Sequence, residues 1–420
     1  MTKLSRRTLI AAAAGMSLDP ALGTGIRRET KHGRGHTHHH KHEQAAGADP
    51  DSLNGAARAK GLMFGSALGA SLKPPAGTEV PKPLRDVRID SFGDPRMRAL
   101  FTAQCGILVP VNELKWDAIR REPGKFDFTA ADRLVDFAGK HGLSVRGQPL
   151  LWNRTRWMPP WVLTHDFGAQ PAAAAEKMLR EHIRTVTSRY SGRIFSYDVI
   201  DETIASDTGE LEDSPFTKIL GPDVIDICFH AAREYAPGTQ LVYNDYMSWE
   251  RSSAAHRAGV LRLIERMKQN NVPIDALGIQ AHIGSNALGA AVGPLGDVDE
   301  TEWRKFLDAV TGMGLDLVIT EFDVNDRDIM GDAAARDQVI AGHARAFLDI
   351  ALGYPQLRYV VAWGLVDKFS WLQRMPPRYD GQSRRPAPYD DNFEPKALRA
   401  TIVQAFAAAP ERPAMEVKPA

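Results

Sequence analysis

Between residues 61 and 408 a short apolar run and a helix-like stretch follow one another eight times, and few folds can absorb that alternation. The apolar runs lie at 61–65, 107–111, 143–147, 194–200, 240–244, 276–280, 315–321 and 357–363. The stretches between and after them predict helices near 94–104, 130–141, 172–190, 223–235, 252–270, 300–312, 333–351 and 395–408. Over 130–141, for instance, Asp132, Leu134, Val135 and Phe137 set a polar and an apolar face. Eight βα units in about 350 residues predict an α/β fold, a closed (β/α)8 TIM barrel.

The competing arrangement is an open doubly wound sheet, which usually begins with a glycine-rich phosphate loop. Here the first run leads into Gly65-Ser66-Ala67-Leu68-Gly69-Ala70, which lacks GxGxxG, and no GxxxxGK[ST] occurs. Charge excludes other classes. Lys plus Arg and Asp plus Glu both number 52, so nothing favours nucleic acid or an anionic membrane as a partner. Two cysteines, Cys105 and Cys228, are read as separate buried thiols and form no metal cluster. No cofactor and no metal site are expected, and the chain is read as a monomer.

Residues 1–25 are read as a signal peptide. Ser5-Arg6-Arg7-Thr8-Leu9-Ile10 has the form of a twin-arginine export signal, and the apolar run from Thr8 to Leu18 is too short to span a bilayer. This predicts a periplasmic or secreted bacterial protein with no stable membrane insertion once the signal is removed. Residues 26–60 read as a disordered linker containing His32, His36, His38, His39, His40 and His42, a weak metal-binding tract at most. The catalytic domain is placed at 61–409 and a disordered tail at 410–420.

Barrel enzymes carry their chemistry at the carboxyl-terminal ends of the strands. Polar and aromatic residues gather there. After the second run come Asn112, Glu113, Lys115 and Trp116, and after the third Gln148, Trp152 and Asn153. The fourth ends in Asp201-Glu202, the fifth in Asn244-Asp245-Tyr246. Gln280 and His282 follow the sixth, Glu321 and Asp323 the seventh, and Trp363, Asp367 and Trp371 the eighth. Two carboxyl groups flanked by tryptophans and amides suit cleavage of a glycosidic bond. One carboxyl protonates the leaving oxygen and the other attacks or activates water, while aromatic planes receive the C–H faces of sugars. Glu202 and Glu321 are 119 residues apart and face one another only in a barrel.

Seven segments in order carry a resemblance: Asn112-Glu113-Leu114-Lys115-Trp116-Asp117, Arg146-Gly147-Gln148-Pro149-Leu150-Leu151-Trp152, Tyr197-Asp198-Val199-Ile200-Asp201-Glu202, Leu241-Val242-Tyr243-Asn244-Asp245-Tyr246, the run from Ile274 to His282, Val318-Ile319-Thr320-Glu321-Phe322-Asp323-Val324, and the run from Trp363 to Leu372. Over residues 62–409 the chain resembles glycoside hydrolase family 10, the β-1,4-xylanase family. The resemblance implies a polysaccharide or oligosaccharide substrate, most simply xylan. It implies Glu202 as acid/base, Glu321 as nucleophile and His282 as the residue orienting that nucleophile. Retention of configuration implies carboxyls about 5–5.5 Å apart. Asn112, Lys115 and Trp152 match sugar-contacting positions, and Gln280, Trp363 and Trp371 match residues at the cleavage subsite. Gln148, Asn153, Asp201 and Asn244 complete the expected substrate-binding set.

The match breaks at four places. The family has Glu where Val111 stands, His at Gln148 and at Asn153, and Asn at Asp201. These departures predict a shifted glycone specificity, toward a substituted xylan or another β-linked glycan. A catalytically impaired glycan-binding barrel and a metal-dependent barrel hydrolase are the alternatives. Trp157 and Trp161 are open between lining a cleft and anchoring a loop. Asp323 is read as a brace, and Tyr246 is left unassigned.

Overall fold

The computed structural model describes residues 49–70, 90–284, 297–417 and 419–420. The export signal and the histidine tract lie outside these residues. Eight parallel strands close into a barrel: β1 Met63–Leu68, β2 Ile107–Pro110, β3 Ser144–Gly147, β4 Ile194–Asp201, β5 Gln240–Asp245, β6 Ala276–Ile279, β7 Asp316–Val324 and β8 Leu357–Ala362. Each pairs in parallel with the next, and β8 pairs with both β7 and β1, which closes the ring. The closing registers include Met63 with Tyr359 and Leu357 with Leu317. Eight outer helices follow in turn: α1 Pro95–Gln104, α2 Thr129–Lys140, α3 Pro171–Arg189, α4 Asp223–Tyr235, α5 Ala254–Gln269, α6 Glu300–Gly312, α7 Ala333–Leu352 and α8 Ala397–Ala408. Their starts carry local signals. Asp94 accepts from the Arg96 N–H with Pro95 in the first turn, Asp299 accepts from Glu302 N–H, and Asp332 from Ala335 N–H.

Two apolar regions fill the fold. One lies between strands and helices. The other is a smaller interior cluster with Met63, Ile107, Val109, Val242, Val318, Tyr359 and Val361. This is the packed barrel interior rather than a pore. A buried pair, Arg146 and Asp198, enters the same interior from β3 and β4, and Arg146 Nε donates to Tyr359 Oη at 3.0 Å. Cys105 and Cys228 are buried free thiols.

The domain limits expected at 61 and 409 are too narrow. Residues 53–58, assigned to the linker, form a helix capped by Ser52, with Leu53 and Ala57 fully buried; Asn54 Oδ1 accepts from Phe64 N–H on β1 at 3.0 Å. The tail beyond 409 is not disordered. Arg412 is buried and donates to the carbonyls of Leu352, Tyr354 and Leu357 at 2.7–3.0 Å. Met415 and Val417 pack against the barrel interior cluster, and Ala420 N–H donates to the Leu143 carbonyl at 3.0 Å. A composition count misses such a tail because one arginine, spread over several carbonyls, carries most of its attachment. Arg412→Ala leaves those buried carbonyls without their donor, at about 1–3 kcal/mol for each group left unmade. The expected outcome is a urea midpoint clearly below wild type at unchanged m-value.

Candidate active site

The strand ends bring three carboxyls into one hydrogen-bonded cluster. β4 ends at Asp201. Glu202 follows with φ +49°, in the left-handed region that side-chain-bearing residues avoid. Its N–H donates to the Asn244 carbonyl at 3.0 Å, so the strained turn is tied to β5. Ala281, between Gln280 and His282, adopts the same kind of conformation at φ +59°. Two short strands extend the rim. Leu151–Trp152 sets Trp152 beside Asp201, and His282–Ile283 sets His282 beside Asp323.

Two amides link the carboxyls. Asn244 Nδ2 donates to Glu321 Oε1 at 2.9 Å and to Asp201 Oδ1 at 3.0 Å. Gln280 Nε2 donates to Asp201 Oδ1 at 3.2 Å and to Glu202 Oε1 at 3.1 Å. Thr320 Oγ1 donates to Asn244 Oδ1 at 2.7 Å and so holds the far end of that amide. Gly278 makes room for it, since a methyl there would sit 2.5 Å from Asn244 Oδ1.

The outer oxygens of the two glutamates meet different cations. Arg154 Nη1 donates to Glu202 Oε2 at 2.9 Å, and Arg154 also bonds Glu212. His282 Nε2 lies 3.3 Å from Glu321 Oε2, and its Nδ1 lies 2.8 Å from Asp323 Oδ1. Asp323 Oδ2 accepts from Trp371 Nε1 at 2.7 Å, so Asp323 braces the histidine, as expected.

These contacts push the two glutamates in opposite directions. Burial raises Glu202 above the ordinary carboxylate range despite the opposing charge of Arg154. Burial also acts on Glu321, but the hydrogen bond and charge of His282, with Lys115 and Asn244, outweigh it and hold Glu321 low. Burial disfavours the His282 imidazolium, yet Asp323 and Glu321 push its pKa up to about 10. At neutral pH the ring therefore carries both protons and donates to both carboxylates. One carboxyl biased toward holding a proton beside one biased toward ionisation is the division that acid-assisted nucleophilic displacement needs.

An aromatic wall adjoins the cluster. Trp152 stacks on Trp157 with ring centroids 4.5 Å apart, and Trp157 is 38% exposed. Lys115 Nζ lies 4.3 Å from the Trp152 ring centroid and donates to Asn112 Oδ1 at 2.9 Å. Trp157 also carries the Arg156 guanidinium over its ring at 4.7 Å from the centroid, whereas Trp161 anchors its loop by donating to the Arg120 carbonyl at 2.9 Å. Trp363 and Trp371 join Val111 and Ala67 in lining a small cavity of about 20 Å³.

Two residues expected to contact substrate bond to the protein itself. Gln148 Nε2 donates to the carbonyls of Pro110 and Val111 at 3.0 and 3.1 Å, so its amide N–H groups hold the loop after β2. Asn153 is fully buried. Its Nδ2 donates to Thr203 Oγ1 and Thr217 Oγ1, and its Oδ1 accepts from Ser214 Oγ, all at 2.7–3.0 Å. Protein partners occupy both ends of the Asn153 amide, and in Gln148 they occupy the amide N–H groups. Sequence reasoning missed Arg154 and Glu212. Nothing in their spacing pairs a loop arginine with carboxyls 48 and 58 residues later. The only signal was a cation directly after Trp152-Asn153. Among the described residues no three His, Cys, Asp or Glu side chains converge as a metal site.

Comparison with known proteins gives a consistent picture. Residues 77–405 match the family model for glycosyl hydrolase family 10. The β-1,4-xylanase of Dictyoglomus thermophilum is 31% identical over 312 residues, covering 71% of this chain and 81% of that protein. Endo-1,4-beta-xylanase B of Thermotoga neapolitana is 29% identical over 290 residues, covering 69% and 77%. The crystal structure of xylanase 10B from Thermotoga maritima superposes with a TM-score of 0.70 at 26% identity, covering 85% of this chain and 98% of that one.

Proposed function

The chain belongs to glycosyl hydrolase family 10 and is a glycoside hydrolase, and from that premise we propose that it cleaves β-1,4-linked xylan with retention of configuration. The observation that carries the mechanism is the opposite bias of the two buried glutamates, Glu202 up and Glu321 down, within one amide-linked cluster. Glu202 is assigned as general acid and Glu321 as nucleophile. Glu321 Oε1 or Oε2 attacks the anomeric carbon, and the bond to the leaving oxygen breaks as Glu202 gives that oxygen its proton. Water then attacks the same anomeric carbon, the bond to Glu321 breaks, and Glu202, now a carboxylate, takes one proton from that water. His282 holds Glu321 ionised until the ester forms.

Trp152, Trp157, Lys115 and Asn112 are assigned to the sugars on one side of the bond, and Trp363 and Trp371 to the subsite at the bond itself. The wild-type protein should release reducing ends from unsubstituted β-1,4-xylan. A panel of β-linked glycans separates this from a second reading, a substituted or different glycan, which Val111 favours by putting an apolar side chain beside Trp363 and Trp371. Release from another glycan but none from xylan would replace the first reading by the second. The twin-arginine-like sequence within residues 1–25 supports export and action outside the cytoplasm.

Arg154 gives a sign that can be checked. Its charge opposes protonation of Glu202. Arg154→Gln removes that opposition, so Glu202 keeps its proton to higher pH. The alkaline limb of the kcat/KM profile should move upward, and the acid limb, set by Glu321, should stay in place.

A further inference from the structure

Three buried carboxyls share the cluster, and two cations reach them. Arg154 pairs with Glu202 at 2.9 Å and His282 with Glu321 at 3.3 Å. Among the described residues no lysine, arginine or histidine pairs with Asp201. The other cations nearby are engaged elsewhere: Arg146 bonds Asp198, and Lys115 donates to Asn112. Asp201 is 2% exposed. Its partners are two neutral amides, Asn244 Nδ2 and Gln280 Nε2, and both donate to Oδ1. No protein donor reaches Oδ2 among the described residues. Two donors on one oxygen and none on the other fit a carboxylic acid, in which C=O accepts and O–H is left to donate.

The charged and titratable groups around Asp201 reinforce this assignment. Asp198 comes from its own strand and Glu202 from the turn that follows it, Tyr243 and Asp245 from β5, and Glu321 from β7. His282 follows β6, Arg154 follows β3 and Lys115 follows β2. The carboxyls outnumber the cations, and each cation is tied to a different carboxyl or amide. A buried anion with only amide partners bears most of its desolvation cost. Burial first, then the charges of Glu202 and Glu321, raise Asp201 well above the ordinary range.

We propose that Asp201 is the neutral acid of the cluster and that its Oδ2–H is the hydrogen-bond donor offered to a hydroxyl of the sugar ring seated between Glu202 and Glu321. This specificity role rests on the hydrolase reading above, but the protonation state does not. As pH rises and Asp201 ionises, the donor is lost and the site becomes acceptor-only at that position. KM should therefore rise on the alkaline side in wild type and stay flat in Asp201→Asn, whose amide still donates.

The test that needs no substrate is the infrared difference spectrum of full-length wild type minus Asp201→Asn at pH 7. The expected result is a carboxylic acid C=O band in wild type that is missing in the variant. A difference showing only carboxylate bands overturns the proposal. Denaturant unfolding gives a second reading. A folded-state proton that the unfolded chain releases makes unfolding easier as pH rises. The unfolding constant of wild type relative to Asp201→Asn should grow about a hundredfold between pH 5 and pH 7, tenfold per unit for one proton. A ratio independent of pH also overturns the proposal. Asp201→Ser serves both measurements if the asparagine variant does not fold. Failure on xylan with a positive infrared band would sink the substrate and leave Asp201 assigned.

Discussion

Glu321→Ala should lower kcat/KM on xylo-oligosaccharides by on the order of 10⁴-fold or more, the scale seen when a covalent nucleophile is removed. The loss is expected in the chemical step rather than in binding. Glu321 sits among Asn244, His282 and Lys115, whereas the sugar wall of Trp152 and Trp157 is built on another loop and stays intact. KM should therefore change little. Added azide distinguishes this variant from a misfolded protein. With the carboxylate gone, a small anion can enter the vacated space and attack the anomeric carbon directly. One displacement instead of two gives an α-glycosyl azide from a β-linked donor with a good leaving group. Recovery of turnover with that inverted product is the expected outcome. A variant retaining a tenth of wild-type activity would remove Glu321 from the mechanism.

Glu202→Ala should behave differently, and the difference is the more telling result. General acid assistance is worth about 10²–10⁴-fold, and only where the leaving group needs a proton. The variant should lose that much on xylo-oligosaccharides, whose leaving oxygen is a poor one. It should lose far less in the first step on an aryl glycoside with an acidic phenol. The second step still lacks its base, so the ester at Glu321 accumulates and a burst of phenol precedes slow turnover. Azide then attacks that ester and gives a β-glycosyl azide, opposite in hand to the Glu321→Ala product. Equal losses on both kinds of substrate would mean that Glu202 does not act as the acid. Glu202→Ala also leaves Arg154 with Glu212 alone, so its fold should be checked by thermal melting.

The barrel was legible because its signal is repetitive. Eight apolar runs and eight helical stretches fall within a few residues of the observed elements, for α4 and α6 at the same limits. That Glu202 and Glu321 lie on one rim was legible for the same reason: once strands four and seven are placed, their ends come to the same side of the barrel. What the sequence hid are contacts made by a single side chain across long separations. Arg412 fastens a tail that composition reads as loose. Asn153 and Gln148 look like ligand-facing polar residues after a strand, yet Ser214, Thr203 and Thr217 claim the first and two backbone carbonyls the second. Arg154 changes the electrostatics of Glu202 from a loop with no pattern to announce it. Position after a strand tells that a residue is near the rim. Which partner its polar atoms choose depends on loops whose path the sequence does not encode in any simple period.

The proposed reaction is a retaining displacement on a β-1,4-xylan chain through Glu321. A proton NMR time course of xylohexaose hydrolysis by the wild-type protein, read at the newly formed anomeric centre before mutarotation, reports the stereochemistry of that step. The β-anomer should appear first and relax toward the equilibrium mixture, with no signal from Glu321→Ala over the same interval. First appearance of the α-anomer would contradict it, and so would hydrolysis by Glu321→Ala at the wild-type rate.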